Sequence, residues 1–186
     1  MKQPNIKVKM IAAVAYDSKI IGVDGKMPWH IPKELKHFKK TTENSAMIMG
    51  RKTYESLPQQ VIDSLAETGR SIVVLTRDLT KRTVDYPPYV SVAHDRLNAL
   101  DLAKRLTNSD SIYICGGTEV FVIFMAYTES YILSVISIDI PYNKDSQYAL
   151  FPMHLLPSFT HLKDSVEHPG KIPFTVYTFK KHSKVP

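Results

Sequence analysis

Several short apolar runs constrain the fold of this chain more than any other feature of its sequence. The runs at residues 8–16, 46–49, 71–75 and 111–115 are rich in apolar side chains at successive positions. Strands that are apolar on both faces are typical of a mostly parallel sheet that is covered on its two sides. The pattern therefore predicts a layered α/β core, and the first run, at residues 8–16, is expected to be a central strand.

Helix, strand and turn signals organise the rest of the chain. Helices are predicted at residues 32–42, from near Arg51, after the capping residue Asp95 and at residues 118–127. Further strands are predicted at residues 90–93 and 131–138, and an antiparallel hairpin at residues 161–167 and 175–182. Residues 17–26, 78–89 and 139–150 are predicted to be loops, residues 57–68 to be irregular and residues 183–186 to fray.

In the helix after Asp95, Leu97, Leu100 and Ala103 are expected to face inward. With 186 residues the chain fits one domain, covering residues 1–186. The predicted architecture is a single three-layer α/β domain with a mixed, mostly parallel central sheet of about eight strands and an antiparallel C-terminal hairpin.

Composition and charge exclude several classes of protein. The chain is 44% hydrophobic and 23% charged, which argues against a disordered or fibrous protein. Its net charge of +6 is dispersed, with no basic run longer than Lys39-Lys40 or Lys180-Lys181, so nucleic-acid binding is not indicated. The single cysteine excludes an internal disulfide, and the histidines have no metal-ligand spacing, so no metal site is expected.

The start of the chain superficially resembles a secretory signal, because lysines precede an apolar run that ends in Ala13-Val14-Ala15. The run is too short for a signal or a membrane span, and it is better explained as the first buried strand. We therefore expect a soluble, cytoplasmic protein that does not enter a membrane.

The segment from Met27 to Phe38 combines structural and chemical signals. Pro32 suits the first turn of a helix, and Ile31, Leu35 and Phe38 follow the spacing of one apolar face. Glu34 lies at the edge of that face and is expected to point inward. On the spacing alone, the preferred interpretation is an acid that only stabilises the positive end of the helix.

Three strand ends carry groups that suit an anion. Gly50 to Thr53 join a strand to a helix start, where free N–H groups, Arg51, Lys52 and the Thr53 hydroxyl could all donate. Gly116-Gly117 follows another strand and would let the backbone approach a pyrophosphate, although the full dinucleotide-binding fingerprint is absent. Thr76-Arg77 lies at the carboxyl end of a third strand, where open α/β sheets bind ligands.

An ordered set of motifs resembles the dihydrofolate reductase family and extends over most of the chain. The matching pieces are residues 10–15 (MIAAVA), Ile21-Gly22, Met27-Pro28-Trp29, Pro32, Glu34, Leu35, Phe38, residues 47–53 (MIMGRKT), residues 55–57 (ESL), Gly69-Arg70, residues 74–77 (VLTR) and Gly116-Gly117. The resemblance implies an oxidoreductase that reduces dihydrofolate to tetrahydrofolate by hydride transfer from NADPH. Tetrahydrofolate then serves thymidylate, purine and one-carbon metabolism.

The resemblance also assigns roles around the substrate. Glu34 would orient the pteridine ring and support its protonation, and Trp29, Met27 and Ser134 would complete the catalytic group. Arg70 would bind the carboxylate of the glutamate tail, although by its residue type it could equally be a surface charge. The substrate-binding set implied by the family is Ile11, Ala13, Glu34, Leu35, Phe38, Leu57, Arg70, Cys115, Phe121 and Ser134, whose apolar members could otherwise be ordinary core residues.

For NADPH, the family implies a second set of residues. It comprises Ala13, Ile21, Gly22, Met27, Gly50, Arg51, Lys52, Thr53, Leu75, Thr76, Arg77, Cys115, Gly116, Gly117, Thr118, Glu119 and Val120. A cis peptide is expected between Gly116 and Gly117. Arg51 and Arg77 would lie near the phosphate on the adenosine ribose.

Three positions depart from common family patterns. Phe121 and Ser134 replace a usual tyrosine and threonine, and Glu119 stands where some members have arginine, so its carboxylate must turn away or be outweighed by Arg51 and Arg77. Two other functions remain open at this point: a related reductase of the riboflavin pathway, which would lack the pairing of Trp29 with Glu34, and a folate- or nucleotide-binding protein without catalysis. The expected partners are dihydrofolate and antifolate-type small molecules, and the expected state is a monomer.

Overall fold

The computed structural model describes residues 5–157 and 160–181. The strands are β1 Lys7–Ala15, β2 Ile20–Val23, β3 Ala46–Gly50, β4 Ser71–Leu75, β5 Val90–Ala93, β6 Ser111–Ile114, β7 Ser130–Ile136, β8 Tyr148–Leu150, β9 Thr160–His168 and β10 Phe174–Lys181. The α-helices are α1 Pro32–Thr41, α2 Arg51–Ser56, α3 Gln59–Ala66, α4 Arg96–Leu106 and α5 Thr118–Phe124, and short 3-10 helices occur at Thr83–Asp85, Met125–Tyr127 and Met153–Leu155.

A mixed sheet of eight strands, in the order β5-β4-β3-β6-β1-β7-β10-β9, forms the centre of the fold. The neighbours from β5 to β7 are parallel, whereas β10 runs antiparallel to both β7 and β9. The predicted mixed sheet, the central position of β1 and the C-terminal hairpin are therefore confirmed. The end of the predicted hairpin at residue 182 and the predicted fraying of residues 183–186 lie outside the described residues.

Strand β1 contributes to both apolar layers of the protein. Met10 and Val14 belong to the layer on one face of the sheet, and Ile11 and Ala15 belong to the layer on the other. All four side chains are buried. This confirms that the unbroken apolar run marks a strand covered on both faces, because successive side chains of a strand point to opposite sides.

Two helix starts follow local sequence rules. Helix α1 has Pro32 in its first turn, where a missing N–H leaves no helical bond unmade. Helix α4 is capped by Asp95, whose carboxylate accepts a hydrogen bond from the backbone N–H of Asn98 at 2.9 Å. Both starts were predicted from the sequence.

Residues 57–68, predicted to be irregular, contain helix α3. The helix follows Pro58 and buries Ile62 and Leu65, with Val61 packed beside them. These positions form one short apolar face, and contact with the sheet stabilises a helix of only 8 residues that would be marginal in isolation.

The two predicted loops at residues 17–26 and 139–150 also differ from expectation. Each contributes a short strand, β2 and β8, and the two strands pair with each other as a separate antiparallel sheet. Gly22 lies opposite Ala149 in this pairing. The interaction joins segments far apart in the chain, and neither segment is long or periodic enough to indicate a strand alone.

The expectation that Leu97 faces inward is wrong. Leu97 is 63% exposed, whereas Leu100 is 8% exposed on the same helix. The buried face of α4 is formed by Ala99, Leu100 and Ala103. Leu97 precedes Ala99 by two residues, which places it on the far side of a helix with 3.6 residues per turn.

Leu97 and Leu100 of α4 provide a matched test of this packing. Leu100→Ala is expected to lower the free energy of unfolding by about 2–4 kcal/mol, because it removes buried methyl groups and leaves a cavity. Leu97→Ala is expected to change it by less than about 0.5 kcal/mol, since its side chain is already in water. Urea unfolding of both variants measures the difference. Equal destabilisation by the two substitutions would contradict the observed orientation of α4.

Candidate active site

Helix α1 buries an acid and leaves its apolar side chains partly accessible. Glu34 is 7% exposed and is the one fully buried residue of the helix, whereas Leu35 and Phe38 are only half-buried. Burial raises the pKa of the Glu34 carboxyl above its ordinary value, because the charged form loses hydration. No described side chain forms an ion pair with this carboxylate.

The hydroxyl of Ser134 is the polar group that acts on Glu34. Ser134 lies in β7, opposite Ala13 of β1 and Val176 of β10. Its hydroxyl opposes part of the increase in the pKa of Glu34, which places the two groups close together. The contact does not have the geometry of a normal hydrogen bond, however, because the Ser134 Oγ makes none with the described residues.

Trp29 carries the second buried polar atom that has no hydrogen-bond partner. Its side chain packs in the same apolar layer as Ile11, yet the indole Nε1 makes no hydrogen bond to any described residue. Buried polar atoms are normally bonded, so each exception needs an explanation. Ser134 Oγ and Trp29 Nε1 are the two buried side-chain atoms found without a partner in the described part of the chain. Both are predicted site residues, and both atoms could bond to a polar ligand or to water.

Most of the predicted apolar wall residues belong to one layer of the protein. This layer includes Ile11, Ala13, Phe38, Leu57 and Cys115. Phe121 belongs instead to the opposite layer, where its ring lies 5.1 Å from that of Phe151. Five of the predicted wall residues therefore lie on one face of the sheet, and Phe121 lies on the other face.

Arg70 is buried without an acidic partner. It is 2% exposed, and its guanidinium donates to Thr42 Oγ1 at 2.9 Å and to the Thr68 hydroxyl. Burial lowers its pKa, and Glu43 opposes the shift only in part. A surface charge is therefore ruled out for Arg70. A buried cation that is held by hydroxyls alone retains the capacity to bind a carboxylate.

The two threonines that hold Arg70 were not identified from the sequence. Thr42 follows α1, and Thr68 follows α3. Arg70 lies directly before β4, 28 residues after Thr42 and 2 residues after Thr68. No local motif indicates this role.

The ends of β3 and β6 meet at a glycine-lined surface. The Gly50 N–H donates to the Gly116 carbonyl at 2.8 Å, and the peptide between Gly116 and Gly117 is cis, as predicted. A Cβ added to Gly50 would lie 3.2 Å from Val120, and one added to Gly117 would lie 3.2 Å from the Thr53 hydroxyl. Larger residues would fill this surface, so its shape depends on backbone exposure. We call residues 50–53 and 116–120 the glycine cradle.

The basic residues beside the glycine cradle are paired with acids. Arg51 Nη1 contacts both carboxylate oxygens of Glu55 at 3.0 and 2.9 Å. Arg77 Nη2 lies 3.1 Å from Glu119 Oε2. Glu119 therefore does not turn away from Arg77. Lys52 is exposed, whereas Thr76 is buried and its hydroxyl accepts from the Asp78 N–H.

The predicted loop residues lie on and beside the small β2–β8 sheet. Ile21 and Gly22 are in β2, and Met27 follows with 56% exposure. Thr118 at the start of α5 donates to the Leu150 carbonyl of β8 at 2.7 Å. This bond connects the small sheet to the glycine cradle.

The two cavities described below lie away from the predicted site residues, and the described residues contain no metal-binding group. A cavity of about 360 Å³ is lined by Val122 and Leu155, and one of about 180 Å³ by Glu167 and His168. Neither includes a predicted site residue. Within residues 5–157 and 160–181, no group of three or more His, Cys, Asp or Glu side chains could hold a metal ion. The buried polar atoms and the glycine cradle therefore define the candidate site.

Comparisons with known proteins identify the family to which this sequence is similar. The sequence model of the family described as dihydrofolate reductase matches residues 7–181. Dihydrofolate reductase HdrB from Haloferax volcanii is 33% identical over 146 residues, which cover 77% of this chain and 71% of the relative. Dihydrofolate reductase type 9 from Escherichia coli is 28% identical over 158 residues, covering 84% and 85% of the two chains.

A solved structure shows the same fold. Dihydrofolate reductase from Enterococcus faecalis, in complex with NADP(H) and the compound RAB-propyl, superposes with a TM-score of 0.74. The alignment covers 95% of this chain and 97% of the other at 22% identity. At this identity the likeness supports the architecture, including the mixed sheet and its antiparallel C-terminal strands.

The burial of Glu34 predicts a pH-dependent effect on stability. Below the ordinary pKa of glutamic acid, the side chain is neutral in both the folded and the unfolded chain. As the pH rises, the unfolded chain ionises first, so the folded state loses stability until the raised pKa of Glu34 is passed. Glu34→Gln removes this loss and is expected to increase the stability measured at neutral pH relative to the parent.

Urea unfolding at a series of pH values tests this expectation. The advantage of Glu34→Gln should shrink as the pH falls toward the ordinary glutamate value. A variant that is less stable than the parent at neutral pH would contradict the assigned cost of the buried charge.

Proposed function

The chain belongs to the dihydrofolate reductase family, and we propose that its catalytic site lies between Glu34 and the glycine cradle. It is an NADPH-dependent reductase that converts dihydrofolate to tetrahydrofolate. The observation that carries the site assignment is the buried Glu34 carboxylate with two buried polar atoms, on Ser134 and Trp29, that no described residue satisfies.

Glu34 binds and orients the pteridine of dihydrofolate in this proposal. A pteridine presents an amino group and a ring N–H side by side, and one carboxylate can accept from both. Burial raises the pKa of Glu34, so its carboxylate attracts a proton or a protonated ring more strongly than a solvated acid does. The same field favours protonation of the ring nitrogen beside the carbon that accepts the hydride.

Ser134 and Trp29 complete the polar part of the site. The Ser134 hydroxyl can donate to Glu34 and accept from substrate or water, and the indole N–H of Trp29 can donate only. Both atoms are buried without a partner, so a ligand or a water that bonds to them removes an unfavourable burial. A water held between Trp29 and Glu34 could deliver the proton to the ring.

The half-buried apolar residues receive the rest of the substrate. Leu35 and Phe38 on α1 and Leu57 after α2 leave apolar surface that the benzoyl ring can cover. Arg70 then binds the carboxylate of the glutamate tail, because its guanidinium is buried and held only by Thr42 and Thr68. The positive charge and the fixed orientation together favour a bidentate contact.

The glycine cradle fits the pyrophosphate of NADPH. Partly exposed backbone at Gly50 and Gly117 permits close approach, and the Thr53 hydroxyl lies beside it. Arg51 and Arg77 flank this surface, where they would bind the ribose phosphate. NADPH, when bound, supplies the hydride, while Ile21, Gly22 and Met27 would cover the nicotinamide side.

Several broader expectations are also proposals. We infer one domain over residues 1–186, a monomeric state, a cytoplasmic location and no nucleic-acid partner, supported by the continuous sheet, the dispersed charge and the single cysteine. No helix among the described residues is long and apolar enough to cross a bilayer. Antifolate-type molecules that carry a protonated ring would suit the Glu34 site for the reason given for the substrate.

Turnover with a matched variant tests the role of Glu34. The parent, mixed with NADPH and dihydrofolate, is expected to oxidise the cofactor, whereas Glu34→Gln is expected to be slower by about one hundred- to ten-thousandfold at neutral and higher pH. The dissociation constant for NADPH should stay unchanged, which controls for folding. If the variant matches the parent rate at neutral pH, Glu34 has only the helix-start role.

Binding of NADPH and NADH to three variants tests the cofactor assignment. Arg51→Ala and Arg77→Ala are each expected to weaken NADPH by about tenfold, because each removes a charge-assisted hydrogen bond to the ribose phosphate, and to leave NADH little changed. Lys52→Ala should weaken both cofactors alike if Lys52 lies nearer the pyrophosphate. Titration by fluorescence gives the constants. Equal weakening of both cofactors by Arg77→Ala would refute the assignment of Arg77 to the phosphate.

A further inference from the structure

We propose that Glu119 limits the preference of this enzyme for NADPH over NADH by competing with the ribose phosphate of NADPH for Arg77. The inference rests on the proposed cofactor site. It extends that proposal by assigning an opposing role to an acid, and the outcome is a smaller preference for NADPH over NADH than the basic residues alone would produce.

The ion pair between Arg77 and Glu119 connects two neighbouring parts of the site. Arg77 follows β4, Glu119 lies in α5, and the two side chains meet with Nη2 and Oε2 at 3.1 Å. Strand β6 precedes α5, and β3, which ends in Gly50, lies between β4 and β6 in the sheet. The pair therefore lies across the strand end where the glycine cradle begins.

Both partners are accessible to a ligand. The side chain of Arg77 is 89% exposed and that of Glu119 is 77% exposed. An ion pair this exposed is weak, so a phosphate can displace Glu119 from Arg77. Selectivity is therefore reduced by Glu119 and not abolished.

Acids offset the basic residues at this edge of the sheet. Glu55 holds Arg51 through both carboxylate oxygens, and Asp78 follows Arg77 directly in the chain. The Thr80 hydroxyl, at 2.6 Å, is the main cause of the lowered pKa of Asp78, and Lys81 and Arg51 lower it further. The positive charges of Arg51, Lys52, Arg77 and Lys81 are thus partly offset by three carboxylates. A dianionic phosphate gains less from such a surface than from an unpaired basic cluster.

Glu119 affects the two cofactors differently. NADPH must replace Glu119 on Arg77, and the displaced carboxylate remains close to the phosphate as a like charge. NADH has a hydroxyl at that position, which requires no displacement and can donate to a carboxylate. Removing the charge of Glu119 should therefore strengthen NADPH binding alone.

The test compares Glu119→Gln with Asp101→Asn, which removes the same charge elsewhere. Asp101 pairs with Arg105 at 2.7 Å on α4 and is exposed like Glu119. Glu119→Gln is expected to lower the dissociation constant for NADPH about three- to tenfold and to change that for NADH by less than about twofold. The ratio of kcat/KM for NADPH and NADH should rise by the same factor, and the increase should shrink at high salt. Asp101→Asn should leave both cofactors unchanged.

The double variant Glu119→Gln, Arg77→Ala shows whether the effect acts through Arg77. The gain from Glu119→Gln is expected to fall to less than half when Arg77 is absent. The proposal is overturned if Glu119→Gln tightens both cofactors equally, changes neither, or acts equally with and without Arg77. A different result would show that the proposed cofactor site itself is wrong. In that case Arg77→Ala, made in the parent, would weaken the binding of NADPH and of NADH alike.

Discussion

Parallel pairing of the central strands is the constraint on which the site depends. Strand β6 pairs in parallel with both β1 and β3, and β3 pairs in parallel with β4. Since parallel strands end at the same edge, Gly50, Gly116 and Arg77 are brought together although they are far apart in the chain. A shift of one residue in this register would turn each strand's side chains to the opposite layer.

The buried carboxylate of Glu34 reduces the stability of the folded chain at neutral pH. Glu34 is buried on α1 with a raised pKa and with one hydroxyl, that of Ser134, acting on it. Trp29 and Ser134 add buried polar atoms that the described chain does not satisfy. A core built only for stability would place apolar side chains at these positions. In the proposed site, a ligand would bring the missing hydrogen bonds.

The two proposed ligand regions have opposite electrostatic arrangements. Arg70 is buried, and hydroxyls hold it without neutralising its charge. Arg51 and Arg77 are partly or largely exposed, and each is already paired with a glutamate. A buried, unpaired cation binds an anion strongly because little water competes with it, whereas exposed pairs contribute small and salt-dependent energies. Substrate binding should therefore be less sensitive to salt than discrimination by the ribose phosphate.

Local sequence rules predicted the main strands, α1 and its proline, the Asp95 cap and the inward position of Glu34, because each depends on spacing along one element. The family motifs added the Gly116–Gly117 cis peptide and the site roles, of which the structure brings most of the wall residues into one layer. Helix α3, the pairing of β2 with β8 and the exposure of Leu97 were decided by tertiary packing. The same is true of the hydrogen bond between Arg70 and Thr42 and of the contact between Arg77 and Glu119. These features depend on contacts with segments distant in the chain, and local periodicity carries no information about which distant groups meet.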